Sequence, residues 1–421
     1  MRLINFIDLF AGIGGIRLGF ENACKKLEIE SRCVFTSEIK LHARKILAQN
    51  HPSEEIFGDI RTVDAKEIPD FDFLLGGFPC QAFSLAGKRL GFQDTRGTLF
   101  FEVERILKEK QPFGFILENV EGLVIHDREN PKERIGRTLA TILSHLEELG
   151  YKVSWKVLNA SDFGIPQNRR RIYIVGTRLD APNLDGFPVV RNPISSILKH
   201  GLPCGKSEFI NKLLENYSVE ELEGKTVTNK RGGENSIHGW NLGIRGETTK
   251  EQQELLSAML LERRKRSYAN ELGIPWKDGM PLTFQQIQSF CKEEDLQQML
   301  DDLVKKRYLC LKPLKTKEEP SIFGYDIVGG KMSFEVGKIL SPNDVAPTLV
   351  ASDMDRLFVA DGGGLRRLTL REGLRLFGYP EDFKFEINEK DGYDLLGNTV
   401  VVPVIEAVSS RVLEVFLSQS K

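Results

Sequence analysis

The residue best placed to do chemistry in this sequence is Cys80, which is preceded directly by Pro79. The apolar run 71–75 predicts a buried strand, and Gly76 and Gly77 mark its end. Ligands bind at the carboxyl ends of the strands in open α/β sheets, so a thiol here could act as a nucleophile. A buried and unreactive cysteine is the commoner state of a free thiol, and Cys80 alone does not distinguish the two.

A carboxyl group and three arginines are predicted to reach the same edge of the sheet. A strand over 113–117 leads to Glu118, and a carboxylic acid there would flank one pocket with the thiol of Cys80. Between the predicted strands 151–158 and 171–175 the sequence carries a run of arginines. These arginines suit a phosphate group if they lie beside Cys80, and otherwise they belong to a solvated turn.

The amino-terminal segment predicts a binding site for a nucleotide-like ligand. An apolar strand over 3–9 is followed by a glycine-rich turn at 12–15 and then by a helical pattern. The turn has the form G-x-G-G and so departs from the dinucleotide pattern G-x-G-x-x-G. Glu38 and Asp59 follow the next two predicted strands, where an acid can accept hydrogen bonds from ribose hydroxyls. Together these features favour an adenosine-containing ligand that has no pyrophosphate.

The composition limits the class of protein. A chain of 421 residues can form two domains, and a net charge of −2 means that any nucleic-acid surface must come from local charge asymmetry. The six cysteines form no C-x-x-C pair, which argues against a metal cluster and a disulfide framework and favours a reducing compartment. The first strand leaves no room for a signal peptide, and no apolar run approaches the roughly 18–20 residues of a membrane helix. We therefore expect a soluble, cytoplasmic protein.

Six sequence blocks, taken together and in order, resemble the cytosine-C5 DNA methyltransferases. They are DLFAGIGG at 8–15, GFPCQ at 77–81, ENV at 118–120, QNRRR at 167–171, the stretch 368–380 and GNTV at 397–400. The resemblance covers 1–180 and about 366–410, a little over half of the chain. Each block by itself is a weak signal, but six blocks in the family's order are highly specific.

The resemblance implies which residues are catalytic. Cys80 matches the nucleophile that adds to C6 of cytosine, and Glu118 matches the acid that hydrogen-bonds N3 and N4 of the base. Asn119 would hold the catalytic loop, while Arg169 and Arg171 would lie near the flipped base and the DNA backbone. A thiol suits the addition because a small fraction of it is thiolate at neutral pH, and an acid at N3 withdraws the charge that develops on the ring.

The resemblance also implies S-adenosylmethionine as the cofactor. Glu38 and Asp59, which the strand pattern already marks as candidate ligands of an adenosine, are among the matching positions. The full set of matching positions is Phe10, Ala11, Gly12, Gly14, Gly15, Glu38, Asp59, Ile60, Pro79, Asn398 and Thr399.

The implied fold is α/β, a Rossmann-like S-adenosylmethionine-dependent methyltransferase fold with a smaller target-recognition domain. The catalytic domain is predicted over 1–185 and is completed by 391–421, and the recognition domain over 186–390. The implied partner is double-stranded DNA. Residues that would contact it lie in the loop after the nucleophile and in the recognition domain: Gln81, Ser84, Lys88, Arg89, Arg231 and Arg245.

A glycine-rich basic stretch that contains Arg231 and Trp240 suits contacts with base edges in the major groove, since arginine pairs bidentately with guanine. An ordinary exposed loop is the alternative. Further on, 254–315 predicts a winged-helix-like insertion, with a helix over 254–266, two apolar helical stripes and a short strand. The basic run 263–266 would either contact phosphate or be favoured by the dipole at the helix end.

Three other functions stay open on the sequence. An RNA cytosine-C5 methyltransferase of the related type usually carries a Cys-Phe-Thr segment, which is absent here. A catalytically inactive DNA-binding protein is disfavoured by the intact Cys80 and Glu118, and a nucleotide-dependent oxidoreductase by the G-x-G-G turn. The compact chain, without additional regulatory domains, resembles the methylases of restriction–modification systems, in which a cognate endonuclease would act without direct contact.

Overall fold

The computed structural model describes residues 3–78, 99–130, 132–314, 322–328 and 334–419. Six of the predicted site residues lie outside the described residues, namely Pro79, Cys80, Gln81, Ser84, Lys88 and Arg89. The chain divides into two compact units. The first unit contains 1–199, 342–355 and 368–421, and the second contains 200–341 and 356–367.

The amino-terminal part of the first unit alternates strands and helices. In chain order they are β1 (Leu3–Leu9), α1 (Gly15–Lys26), β2 (Glu30–Ser37), α2 (Leu41–Asn50), β3 (Ile56–Phe57), β4 (Phe73–Gly76), α3 (Leu99–Lys110), β5 (Gly114–Val120), α4 (Arg137–Glu148), β6 (Lys152–Asn159) and β7 (Arg170–Thr177). The bounds of β1 coincide with those predicted from the sequence, since a near-continuous apolar run defines this strand. The amphipathic pattern of α3 places Phe100, Val103, Ile106 and Leu107 in the core.

These strands form one seven-stranded sheet in the order β3-β2-β1-β4-β5-β7-β6. The pairs from β3 to β5 are parallel, whereas β7 runs antiparallel to both β5 and β6. The direction of winding reverses between β1 and β4. The carboxyl ends of these two strands therefore border a crevice of the kind that binds ligands in open α/β sheets.

The middle of the chain forms the second unit. Its elements are α5 (Glu208–Asn216), α6 (Val219–Leu222), β8 (Thr226–Val227), β9 (Ser236–Ile237), α7 (Lys250–Glu262), α8 (Arg266–Glu271), α9 (Phe284–Phe290), α10 (Leu296–Lys305), β10 (Leu309–Leu314), β11 (Ile322–Ile327), β12 (Lys338–Leu340), β13 (Leu357–Asp361) and β14 (Gly364–Arg367). Five strands form a sheet in the order β14-β13-β12-β8-β9, and β10 pairs with β11 in an antiparallel hairpin.

Helices α7, α9 and α10 share one apolar core with the β10–β11 hairpin. A bridge between Leu282 and Tyr325 adds a short strand just before α9. In chain order α7, α8, the bridge at Leu282, α9, α10 and the hairpin follow each other, so the predicted winged-helix-like insertion has one more helix than a winged-helix unit and stays a prediction.

The predicted bounds of the helix over 254–266 were wrong. Helix α7 begins at Lys250, because Thr249 and Gln252 form a capping box that satisfies the first free amides, and it ends at Glu262. The basic run 263–266 therefore starts at Arg263, the residue that caps α7, and continues beyond the helix instead of forming its last turn.

The chain returns to the first unit in three helices, α11 (Leu370–Arg375), α12 (Glu389–Asn398) and α13 (Val402–Ser418). The compact units do not share the bounds of the predicted domains, since 186–199, 342–355 and 368–390 belong to the first unit. Polar contacts hold these stretches there; for example, the guanidinium of Arg375 donates to the carbonyl of Ile197 at 2.9 Å. Recognition of DNA by the second unit stays a prediction. None of the described helices is long and apolar enough to span a membrane.

Candidate active site

The glycine turn after β1 contains three residues with left-handed backbone conformations. Phe10, Gly12 and Gly14 have φ angles of 54°, 56° and 85°. Glycine adopts this region without a steric penalty, whereas a non-glycine residue such as Phe10 is held there mostly at functional sites. The turn is attached to the end of β2, because the amide of Ala11 donates to the carbonyl of Ser37 at 3.1 Å.

Glu38, directly after β2, fixes the same turn with its carboxylate. One oxygen accepts a hydrogen bond from the amide of Gly12 at 2.7 Å, and the other accepts from the amide of Lys40 at 2.7 Å. Glu38 is buried; burial raises its pKa, and the hydrogen bonds from backbone amides oppose that rise. Each carboxylate oxygen has a further lone pair, so Glu38 can still accept a hydrogen bond from a ligand.

A cavity of about 370 Å³ opens beside Glu38, at the carboxyl ends of the central strands. Apolar side chains that the sequence reasoning missed, Ile39, Leu99 and Leu395, contribute to its wall. The sequence did hold a signal for Ile39, because it is an apolar residue directly after the candidate ligand Glu38. In the structure its side chain is 62% exposed. Seven residues predicted to bind the cofactor line the cavity: Phe10, Gly12, Glu38, Asp59, Ile60, Asn398 and Thr399.

Asp59 lies in this cavity wall and is held by Arg61. Its carboxylate accepts hydrogen bonds from the backbone amide of Arg61 at 3.1 Å and from the guanidinium at 2.5 and 2.9 Å. The hydrogen bond from the Arg61 side chain lowers the pKa of Asp59, so the carboxylate is charged at neutral pH. Arg61 also lines the cavity and is a further site residue that the sequence reasoning missed.

Glu118 and Arg171 form the charged pair of the site. The register of β5 and β7 places Val120 opposite Arg171, so Arg171 is a diagonal neighbour of Glu118 on the same face. The side chains of Glu118 and Arg171 are 11% and 15% exposed, and Arg171 Nε lies 3.1 Å from Glu118 Oε1. Burial raises the pKa of Glu118, while the charges of Arg171 and Arg169 oppose the rise. A carboxyl group with a raised pKa is suited to donate a hydrogen bond or a proton.

Asn119 connects β5 to the segment that precedes Cys80. Its side-chain amide donates to the carbonyl of Phe78 at 3.0 Å, and its side-chain oxygen accepts from the amide of Val120 at 2.8 Å. Asn119 is buried, and so is Phe78. Asn119 thus holds the chain at Phe78, the last described residue before Cys80. Its predicted role in holding the catalytic loop itself stays a prediction.

Arg169 is part of the scaffold of the site. Its two terminal nitrogens donate to the carbonyls of Leu349 and Thr399, at 2.8 and 2.7 Å, and its guanidinium lies 5.3 Å from the centre of the Phe377 ring. Arg169 is 4% exposed, and burial lowers its pKa to about 9. Of the two predicted arginines, therefore, Arg171 pairs with the acid, whereas Arg169 joins three distant parts of the chain.

Three glycine-turn residues predicted to touch the cofactor do not line the cavity: Ala11, Gly14 and Gly15. Gly15 permits a close approach instead, since a Cβ there would lie 2.5 Å from the Tyr379 hydroxyl and 2.8 Å from Val400 Cγ2. The hydroxyls of Tyr379 and Thr399 are hydrogen-bonded at 2.7 Å. Gly15 thus serves the packing of the segment that carries the cavity residue Thr399.

The predicted DNA-contacting residues of the second unit differ in their surroundings. Arg231 is exposed, in the loop between β8 and β9. The guanidinium of Arg245, in contrast, donates to the carbonyl of Arg307, just beyond the carboxyl end of α10. The basic run 263–266 is engaged within the unit. Its ion pairs are Arg263 with Asp326, Arg264 with Asp278 and Lys265 with Glu262.

The strand order, the antiparallel strand β7 and the cavity between the ends of β1 and β4 define an α/β enzyme of the methyltransferase class. Comparison with known families specifies the class further. The profile of the family described as C-5 cytosine-specific DNA methylase matches residues 4–414. The chain belongs to this family and is a DNA cytosine-C5 methyltransferase.

Individual relatives match over nearly the whole chain. The type II methyltransferase M.NlaIV of Neisseria lactamica is 59% identical, over 98% of this chain and 99% of the relative. M.BanI of Aneurinibacillus aneurinilyticus, also a type II methyltransferase, is 44% identical over 96% of this chain and 94% of the relative. The structure of the methyltransferase EhMeth of Entamoeba histolytica aligns over 100% of both chains with a TM-score of 0.54 and 17% identity. That structural likeness shows the fold alone.

Proposed function

We propose that this enzyme transfers the methyl group of S-adenosylmethionine to C5 of a cytosine in double-stranded DNA, through a covalent adduct with Cys80. The buried pair of Glu118 and Arg171 carries the proposal, because it supplies an acid of raised pKa at the sheet edge. Gly77 lines the cavity and also lies against this acid, since a Cβ on Gly77 would be 3.5 Å from Glu118 Oε2. The acid and the cofactor cavity therefore border each other.

The cavity residues fit an adenosine-containing sulfonium compound. The carboxylates of Glu38 and Asp59 can accept hydrogen bonds from hydroxyl and amino groups, and their charge favours a cationic ligand. Phe10, Ile39 and Leu395 offer apolar surface to a planar ring. When bound, S-adenosylmethionine supplies an electrophilic methyl group on a positively charged sulfur.

The reaction divides into one addition, one substitution at the methyl carbon and one elimination. The Cys80 thiolate forms a bond to C6 of cytosine, and Glu118 donates at N3, so the ring gains no net negative charge and C5 becomes nucleophilic. C5 then forms its bond to the methyl carbon while the bond between that carbon and the sulfonium sulfur breaks, and the electron pair stays on sulfur, which leaves as a neutral thioether. A base removes the proton from C5, the bond between C6 and Cys80 breaks, and its electron pair returns to the sulfur of Cys80. N3 gives its proton back to Glu118, which restores the aromatic ring and the acid.

Arg171 and Asn119 position these groups. Arg171 holds the carboxyl of Glu118 in one orientation, and Asn119 holds the carbonyl of Phe78, two residues before the nucleophile. The cytosine must leave the base stack to reach them, which costs a few kcal/mol in a duplex. The exposed Arg231 of the second unit is a candidate for reading base edges.

The type II names of the relatives support a place in a restriction–modification system, where a cognate endonuclease would share the DNA site without contacting the enzyme. The test is bisulfite sequencing of plasmid DNA after incubation with the protein and S-adenosylmethionine. Cys80→Ser and Glu118→Gln variants serve as controls. Glu118→Gln keeps the size of the side chain and removes the acid, so methylation should fall by about 10²–10⁴-fold.

Protected cytosines in one short sequence motif, lost with Cys80→Ser, are the expected result. If calorimetry shows that the protein binds the cofactor but no cytosine of the plasmid is protected, the proposal that DNA is the substrate is overturned, and RNA is tested next. Full methylation by Cys80→Ser would overturn the covalent adduct while leaving the methyl transfer itself intact.

A further inference from the structure

The second unit contains a helical part, residues 249–314 and 322–328, that overlaps the predicted insertion 254–315 and is called the insertion below. The methylation reaction does not explain its role. In winged-helix proteins that read DNA, the helix before the hairpin enters the groove, and here that helix is α10. Its exposed side chains at the amino-terminal half are Gln297, Gln298 and Asp301, and the exposed residues just before it are Lys292, Glu293, Glu294 and Asp295. The four carboxylates outnumber the one lysine and repel the phosphate backbone, so the net charge at this end of α10 opposes a role in DNA reading.

The insertion instead contacts the recognition segment, residues 228–246, at several points. At the centre lies the hydroxyl of Tyr308, which is 1% exposed. It donates to the carbonyl of Gly246 at 2.9 Å and accepts from the amide of Arg245 at 2.9 Å. The carbonyl of Gly239 lies 3.4 Å from the same hydroxyl. One buried side chain therefore joins both ends of the bend 239–246.

Other contacts extend the attachment along the segment. The guanidinium of Arg264 donates to the carbonyl of Lys230 at 3.0 Å, next to the exposed Arg231. The side-chain amide of Asn241 donates to Gln253 Oε1 at 3.0 Å. Trp240, 1% exposed, belongs to the apolar core of the insertion. The insertion thus packs along the recognition segment from residue 230 to residue 246.

We propose that the insertion is a brace, which holds the recognition segment in the conformation that meets DNA, and that Tyr308 is the positioning residue at its centre. The inference rests on the proposed reading of DNA by the second unit. A loop that is already ordered loses less conformational entropy on binding, so bracing raises the affinity for DNA without any contact between the insertion and the DNA. Arg245 is part of the brace, because its guanidinium is directed to the carbonyl of Arg307.

The test compares Tyr308→Phe with Tyr325→Phe. Both variants remove one hydroxyl from the same insertion, but the Tyr325 hydroxyl is hydrogen-bonded to Gln297, away from the recognition segment. Tyr308→Phe leaves the amide of Arg245 without its acceptor and should raise KM for cognate DNA about tenfold. The kcat and the dissociation constant of S-adenosylmethionine should change less than about twofold, as should every constant of Tyr325→Phe.

Hydrogen exchange of the DNA-free protein tests the brace independently of catalysis. Peptides covering 239–246 should exchange about tenfold faster in Tyr308→Phe than in wild type, and at the wild-type rate in Tyr325→Phe. Equal exchange in the two variants, or an equal KM, would overturn the brace. If the wild-type protein fails to methylate DNA, the proposed function is wrong, and the exchange result still decides whether the segment is braced.

A second pair of variants covers the case in which Tyr308→Phe does not fold. Arg264→Met removes the bond to the carbonyl of Lys230, while Asp278→Asn weakens the ion pair of Arg264 and leaves that bond in place. Only Arg264→Met should raise KM for DNA and the exchange rate over 228–235. The exposed Gln298 tests the rival role of α10. A rise in KM for DNA with Gln298→Ala, equal to that of Arg264→Met, would show that α10 itself contacts DNA and would overturn the proposal.

Discussion

Replacement of Asp8 by asparagine should make the stability of the first unit less dependent on pH. Asp8 lies in β1, two residues before Phe10, and its side chain is fully buried. Neither carboxylate oxygen has a hydrogen-bond partner among the residues that the structure describes. Burial raises the pKa of Asp8 from 3.8 to about 8; the charge of Arg17 opposes this rise, and neighbouring glutamates add to it.

The raised pKa means that the folded protein keeps Asp8 protonated at a pH where the unfolded chain has released the proton. The contribution of Asp8 to stability is therefore fully present below its ordinary pKa and is lost as the pH rises through about 8. Asparagine has nearly the same shape and does not titrate. Since each pKa unit corresponds to about 1.4 kcal/mol, the wild-type protein should lose about 4 kcal/mol relative to Asp8→Asn between pH 4 and pH 7.

The assay is unfolding in urea at a series of pH values, read by a hydrogen-exchange pulse at one fixed pH. The peptide that covers β1 reports the first unit separately, so the two units need not unfold together. Asp59→Asn is the control of opposite sign, because Arg61 lowers the pKa of Asp59, whose stabilising contribution is lost as the pH falls. Parallel pH profiles of wild type and Asp8→Asn would refute the buried, protonated state of Asp8.

Three further outcomes follow from the site. Arg169→Met should destabilise the first unit by about 3 kcal/mol in urea unfolding, because two charge-assisted bonds to backbone carbonyls are lost, and an unchanged midpoint would contradict the scaffold role. Gly15→Ala should lower the free energy of unfolding by about 2–3 kcal/mol through overpacking. Gly12→Ala should lower it by about 1 kcal/mol, because position 12 has open space but a φ of 56°. Equal losses in urea unfolding would contradict the packing role of Gly15. Arg61→Ala should raise the pKa of Asp59. As the pH is lowered, binding of S-adenosylmethionine, measured by calorimetry, should therefore begin to weaken at a higher pH in the variant than in wild type. Coincident pH profiles would show that Arg61 does not hold Asp59.

Local patterns in the sequence predicted the elements that carry the site. The apolar run of β1 and the apolar run that leads to Glu118 are properties of neighbouring residues, so they could be recognised without the fold. The end of β5 was predicted at 117, whereas the strand continues through Glu118 to Val120, where it pairs with β7. The acids Glu38 and Asp59 could also be placed at the cavity, because each follows a predicted strand and the ends of parallel strands meet at one edge of a sheet.

Contacts between distant parts of the chain decided the rest. The sequence placed Arg169 near DNA. Its hydrogen-bond partners, the carbonyls of Leu349 and Thr399, lie 180 and 230 residues further along the chain, so no local pattern could reveal them. The basic run 263–266 suggested phosphate binding because Asp326, the ion-pair partner of Arg263, lies beyond three more helices and a hairpin strand. Order along the chain therefore determined which residue types could do the chemistry, and tertiary packing decided which of their charges face the cavity and which are paired within the protein.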